Sequence, residues 1–343
     1  MTSAAARRDS RLTRHAPQLT FLVVLSTAAS LLVLEGATRV YAGLTNQERG
    51  MTFDAELGWR PLPRVTKAGA IWGVSRPATT NSLGWRDREH RYEKPPGVRR
   101  AVAIGDSFTF GMDVDDGERF TDELPRRIDR LEVVNLGVAG YGTDQELRLL
   151  ETEGVLYQPD VVILTVCVVN DLDDITYDRL YSWPKPHYSL ENGGLRLWKP
   201  VATWGVRARE SSYLLEFTYQ RFMTGVNKSR RVAGFAAETA PAVFEALIQR
   251  IAAVAGEHGA RLVAVIAYGP TTMTRDFSDL GRYVNDVLAR KAVPTLDTRQ
   301  LFADRSPDPD RLLYSPRGLH WNAQGHAIVA EGIQSLLARV GIH

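Results

Sequence analysis

The chain has 343 residues, 44% of them hydrophobic and 24% charged, with a formal net charge of +2. That length buries one substantial core with additions rather than two large domains, and near-balanced charge without a long Lys/Arg tract excludes nucleic-acid binding on composition. The one cysteine, Cys167, lies in the apolar run Val161–Val169, so an intramolecular disulfide and a cysteine-based metal site are excluded and packing is its expected role.

Four arginines, Arg7, Arg8, Arg11 and Arg14, precede the run Leu19–Leu34, which is apolar apart from small hydroxyl residues and ends at Glu35. Positive charge before such a run and little after it predicts a single-pass helix with its N-terminus in the cytoplasm and the rest outside. The run is short for a bilayer core, which takes roughly 17–25 residues, so Gln18, Gly36 and Ala37 must contribute. Small residues at Val40-Tyr41-Ala42 leave a cleaved signal peptide open. Glu35 and Arg39 fall where a cleavage region is ordinarily uncharged, which favours a retained anchor.

Residues 45–98 are rich in Gly, Pro, Trp and Arg without a helical or strand period, and predict an irregular segment packed on a domain. Leu57-Gly58-Trp59-Arg60 returns as Leu83-Gly84-Trp85-Arg86, read as two similar glycine turns that each bury a Trp. From residue 99 the pattern is regular. Ala101–Ile104, Val133–Leu136, Val161–Val168 and Leu262–Ala267 predict buried parallel strands, and Val293–Leu296 a further brief strand. Between them, Phe120–Leu131, Thr143–Glu153, Pro241–His258, Asp279–Lys291 and Ala323–Val340 predict helices, with Thr143 and Glu146 in capping-box spacing. Alternating strands and helices give an α/β fold with a mostly parallel sheet.

One stretch breaks the alternation, at about residues 175–237. It holds Trp183, Tyr188, Trp198 and Trp204, and Asn192-Gly193-Gly194 predicts a hairpin turn between Pro186–Leu190 and Leu195–Trp198. Aromatics under a long loop are ordinarily buried; exposed ones over a site stack on sugar rings. The expected organisation is therefore 1–44 as cytoplasmic N-terminus and anchor, 45–98 as an extension, and 99–343 as the main domain with this insertion.

An apolar strand running into Gly105-Asp106-Ser107 places a serine at the carboxyl end of the sheet, where open α/β sheets carry reactive groups. Turn chemistry alone also accounts for that tripeptide. The wider pattern decides. Gly105-Asp106-Ser107, Asn135-Leu136-Gly137-Val138-Ala139-Gly140, Asn170-Asp171 and His320-Trp321-Asn322 resemble, in order, the four blocks of the SGNH or GDSL hydrolases. The anchor and Asn81-Ser82-Leu83-Gly84-Trp85-Arg86-Asp87 look like a membrane-anchored, extracytoplasmic bacterial subgroup, which places the chain at the inner membrane. The resemblance implies a three-layer fold with helices on both faces of the sheet. It implies Ser107 as nucleophile, His320 as base, and an oxyanion hole from the N–H groups of Ser107 and Gly140 and the amide of Asn170. His326, on the following helix, reads as a packing or capping residue.

Two positions depart from the family pattern. Val168 stands where a glycine is usual, and Arg317 stands three residues before the histidine, where the acid belongs. His320 then works as a dyad held by a carbonyl, borrows a carboxylate such as Asp308 or Asp310, or belongs to a site retained for binding. The expected substrate is an acyl ester, acetyl foremost, of a cell-surface or exported polysaccharide, with lipid esters open. The alternatives are a polysaccharide O-acetyltransferase of the same fold and a degenerate glycan-binding or assembly protein. No cofactor or metal is expected, since the histidines lack ligand spacing. The sequence leaves the oligomeric state open.

Overall fold

A 42-residue helix, α1 (Ser3–Leu44), opens the chain. The computed structural model describes residues 3–45, 50–66, 78–222, 229–232, 237–271, 277–316 and 318–343, and for residues 3–16 the backbone alone. The side chains of Arg7, Arg8, Arg11 and Arg14, and the whole of Arg317, lie outside the described residues. Pro17–Leu44 spans 28 residues, and its most apolar 18-residue window has a mean hydropathy of 1.9, so α1 is long and apolar enough to cross a membrane. Its apolar side chains, Leu19, Phe21, Leu25 and Leu32 among them, are exposed. Such a surface is stable only against an apolar medium or another apolar face.

After α1 come the hairpin strands β1 (Met51–Asp54) and β2 (Gly58–Pro61), then β3 (Arg99–Ile104), α2 (Ser107–Phe110), α3 (Phe120–Arg127), β4 (Leu131–Asn135), α4 (Thr143–Thr152), β5 (Val161–Cys167) and α5 (Asp171–Asp174). The insertion follows as β6 (Tyr177–Leu180), β7 (Trp183–Pro184), β8 (His187–Glu191), β9 (Gly194–Trp198), α6 (Trp204–Ser211), α7 (Tyr213–Phe222) and β10 (Arg230–Arg231). The chain ends with α8 (Ala240–Glu257), β11 (Arg261–Ala267), α9 (Ser278–Arg290), β12 (Thr295–Asp297), α10 (Thr298–Arg305), α11 (Pro309–Leu312) and α12 (Ala323–Arg339).

The central sheet is parallel, in the order β12-β11-β5-β3-β4. Alternate strand residues face opposite ways, so both faces must be covered. Val102, Ile104, Val162 and Leu164 pack with Leu147, Ile248 and Val284 of α4, α8 and α9. Ala101, Ala103, Val161 and Ile163 pack with Phe120, Phe302 and Val329 of α3, α10 and α12. Three layers result, and each fully buried aliphatic or aromatic side chain contributes roughly 1.5–3 kcal/mol. Strand order reverses between β3 and β5, since β4 lies beyond β3 and later strands beyond β5. Ligands bind open α/β sheets at the carboxyl ends of the strands beside such a reversal.

Trp59 and Trp85 are both buried in the core, so each glycine turn of the extension does sink a tryptophan. In the insertion, β8 and β9 pair through the two-residue turn Asn192-Gly193, both at positive φ. Two expectations change. The helix expected over Phe120–Leu131 stops at Arg127, because Ile128 turns extended. The capping box of Thr143 and Glu146 does not form: Gly142 occupies the cap position, while Thr143 Oγ1 and both Glu146 carboxylate oxygens are buried with no hydrogen-bond partner among the described residues. Burial of that helix face overrides the local capping pattern.

Glu35 ties α1 to the insertion. Its carboxylate accepts from Ser212 Oγ (2.7 Å), Tyr213 N (2.9 Å) and Leu214 N (2.9 Å), at the amino end of α7. A carboxylate there satisfies open helix donors and matches the helix dipole. Tyr41 of α1 meets Phe217 of α7 edge-on at 5.9 Å.

Candidate active site

Asp106 forms the turn that presents Ser107. Its buried carboxylate caps α2 by accepting from Phe108 N (2.9 Å), which leaves Ser107 as the first residue of a one-turn helix at the end of β3. Ser107 Oγ lies 2.8 Å from His320 Nε2.

His320 sits in a loop closed from several sides. Tyr314 and Trp321 form an isolated β-bridge, and Ser315 N donates to His320 O (2.9 Å). Asn322 caps α12 by accepting from Gly325 N (2.9 Å) and donates from Nδ2 to Leu312 O (2.9 Å) and Tyr314 O (3.2 Å). Phe108 stands edge-on to the imidazole at 5.1 Å. The ring is thus pinned by backbone and packing, with 16% of its side chain exposed. His326, one turn into α12, is buried; Phe120 N donates to its Nδ1 (3.2 Å). Burial, then the nearby Arg119, pushes its pKa down to about 3, which keeps the ring neutral.

The other ring nitrogen of His320 faces a carboxylate the sequence reading did not name. Asp113 Oδ2 lies 3.3 Å from His320 Nδ1, and 19% of the Asp113 side chain is exposed. Asp113 follows α2 in the loop Gly111–Asp116 and adopts φ +68°. Gly318 permits the approach, because a Cβ there would overlap Asp113 Oδ2.

At the carboxyl ends of β4 and β5 lie Gly140 and Asn170. Gly140 has φ +80°, and a Cβ there would lie 2.5 Å from Tyr181 Cε2, so both the backbone angle and the tyrosine ring require glycine. Val168, in place of the usual glycine, prolongs the strand ladder by donating from its N–H to Ala267 O (3.0 Å). Asn170 Nδ2 donates to Asp174 Oδ2 (2.7 Å), which uses one of its two amide hydrogens. Lys185 Nζ holds Asp144 (2.6 and 2.8 Å) and the carbonyl of Asp174 (2.7 Å).

Carboxylates accumulate behind this floor. Asp106, Asp144, Glu146, Asp171 and Asp174 are all buried, and of these Asp144 pairs with Lys185. Burial, then mutual repulsion, pushes Glu146 and Asp171 well above the ordinary carboxyl range. Burial raises Asp174 to about 7, against the pull of Lys185 and Asn170.

Residues 103–328 match the GDSL-like lipase/acylhydrolase family. The chain belongs to that family. No curated protein matches it. Among solved structures, TesA aligns at 13% identity and a TM-score of 0.44, over 71% of this chain and 99% of its own. A lipase/acylhydrolase from Enterococcus faecalis aligns at 15% identity and 0.44, over 71% and 97%. The psychrotrophic esterase EstA from Pseudoalteromonas sp. aligns at 11% and 0.41, over 71% and 98%.

Within this acylhydrolase chain, Asp308 and Asp310 do not face His320. Asp308 pairs with Arg311 (2.9 Å) and Asp310 accepts from Thr271 Oγ1 (2.6 Å). Both lie at α11, whose single turn directs them outward, whereas the loop after α2 reaches the imidazole. Sequence offered one signal for Asp113, its place in an acid-rich loop immediately after the serine helix. No spacing to His320 marks it.

Proposed function

We propose that this acylhydrolase is a membrane-anchored, extracytoplasmic serine esterase working through Ser107, His320 and Asp113. One observation carries the proposal: the 2.8 Å Ser107–His320 contact, with Asp113 on the far ring nitrogen. Ser107 Oγ attacks the ester carbonyl while His320 Nε2 takes its proton. The resulting oxyanion is met by the N–H groups of Ser107 and Gly140 and by the remaining amide hydrogen of Asn170, each donor contributing about 3 kcal/mol to the transition state. His320 returns the proton to the leaving alcohol, and water then releases the acyl group from Ser107 by the same exchange. Asp113 holds the imidazole tautomer and balances the imidazolium. With a carboxylate in that place, the absence of an acid three residues before His320 no longer argues for a spent site.

The substrate class is an acyl ester, acetyl foremost, of a cell-surface or exported polysaccharide. The exposed apolar face of α1 supports a location at the membrane. In the insertion, Trp204 is 85% exposed, a surface on which sugar rings stack, whereas the Trp198 ring already carries Arg196 at 4.1 Å and stacks with His187. The test uses the full chain in detergent with a serine-directed phosphonate and aryl acetates, beside Ser107→Ala and His320→Ala. Labelling and acetate release lost in both variants support the reading. A folded wild-type chain that neither labels nor turns over overturns it.

A further inference from the structure

The loop that carries Asp113 has no regular structure of its own, yet it must hold a carboxylate within 3.3 Å of an imidazole. A non-glycine residue at φ +68° is a backbone state that surroundings must enforce. The enforcing group comes from the extension. Arg86, its side chain fully buried, donates from Nη1 to Phe110 O (3.3 Å) and to Gly111 O, from Nη2 to Val114 O (2.8 Å), and from Nε to Asp116 Oδ1 (2.9 Å). Those acceptors bracket Asp113 on both sides. A planar guanidinium with five fixed donors gathers several carbonyls at once; an ammonium is a point charge without that fork.

The guanidinium is itself aimed by local chemistry. Asn81 Oδ1 accepts from Leu83 N (2.9 Å) and Trp85 N (3.0 Å), and Asn81 N donates to Trp85 O (2.8 Å). That turn sinks Trp85 into the core and leaves Arg86 pointing beneath the loop. Arg119 completes the arrangement by donating from Nη1 to Arg86 O while its own fork holds Asp122 (2.7 and 2.8 Å). Thr79 N reaches the other Asp116 oxygen (3.0 Å).

We propose that Arg86 is a positioning residue of the active site, acting through the 110–116 loop to hold Asp113 against His320. The segment Asn81–Asp87 is then part of the catalytic apparatus, although none of it touches Ser107. The proposal rests on Asp113 serving as the acid. Losing the fork lets the loop relax, and a displacement of about 1 Å at a catalytic group costs about 10²-fold in rate.

The test is a double-mutant cycle on the full chain, reading kcat and KM for aryl acetate hydrolysis and thermal unfolding for each variant. Arg86→Lys keeps the charge and loses the fork; Asp113→Asn removes the acid. The expected result is a kcat loss of about 10²-fold for Arg86→Lys, with KM little changed, that vanishes in the Asp113→Asn background. Asp116→Ala, which removes the acceptor of Arg86 Nε near the surface, is the second variant and shows the same coupling at smaller size should Arg86→Lys fail to fold. Losses that are equal in both backgrounds make Arg86 a fold residue only and overturn the proposal. An Asp113→Asn enzyme as fast as wild type overturns the acid assignment itself, and the proposal with it.

Discussion

Replacing Asp113 by Asn keeps shape and removes charge, so it isolates what the carboxylate does for His320. With Nδ1 and Oδ2 3.3 Å apart, the charge centres of imidazolium and carboxylate lie roughly 4 Å apart, and at an effective dielectric of about 20 their attraction is about 4 kcal/mol. That attraction exists only while the ring is charged, in the tetrahedral transition states, so it lowers the barrier rather than tightening substrate binding. The expected loss in kcat is therefore about 10³-fold, with KM nearly unchanged. An asparagine amide facing Nδ1 also favours the wrong tautomer, which carries triad enzymes toward about 10⁴-fold. Initial rates on aryl acetates across pH, with burst amplitudes to count active sites, measure this. A loss below about threefold, from a variant that unfolds like wild type, would refute the assignment.

The approach of Asp113 depends on Gly318, where an added Cβ would overlap the carboxylate; Gly318→Ala should lower kcat by about 10²-fold, and wild-type turnover would show that the loop yields freely. Gly140→Ala pairs an unfavourable φ with a clash on Tyr181, so it should cost about 2 kcal/mol or more of transition-state stabilisation, read as kcat/KM with unchanged thermal unfolding as the control. His90 lies between Asp87 (3.0 Å) and Glu132 (2.6 Å); burial opposes its charge, but the two carboxylates outweigh burial and raise its pKa above the ordinary 6.5. A raised folded pKa contributes stability in full below about pH 6.5, and that contribution fades as pH rises through the folded value. Wild type should lose unfolding temperature upward from there, and His90→Gln should flatten that slope.

The parallel strands were legible because burial on both faces writes them as unbroken apolar runs, and Val161–Cys167 shows it plainly, every residue being buried. Ser107, Gly140, Asn170 and His320 could be named only through the ordered resemblance of four short blocks, since each local pattern alone is ordinary turn or cap chemistry. Of these, the structure brings Ser107 and His320 to 2.8 Å of each other. Asp113 was not legible. Its contact with His320 spans 207 residues and depends on a backbone bend, on Gly318 and on a buried guanidinium, none of which leaves a periodic trace. The Thr143–Glu146 pair misled for the converse reason: a capping pattern is local, and whether its side chains face the cap or the core is decided by packing from elsewhere. Aromatics in the insertion split for the same cause, with Trp183 and Tyr188 buried and Trp198 and Trp204 exposed.

Glu35 gives the proposed anchor a mechanical character. A flexible leash would let the esterase sweep a hemisphere whose radius grows with linker length. Here the carboxylate that ends the apolar run is seated on the amino end of α7, so helix and enzyme move as a mast and its platform. If the proposed anchor spans a bilayer, the height of the cleft above it would be set by the rise of α1 beyond Glu35, not by slack. On the proposed anchoring, a substrate would have to come to that height, which would suit the proposed polymer at the membrane better than one diffusing freely. A peptidase cut after Ala42 would take Glu35 away with the anchor and leave the first turn of α7 without its carboxylate, so release from the membrane would carry a structural cost as well as a change of place.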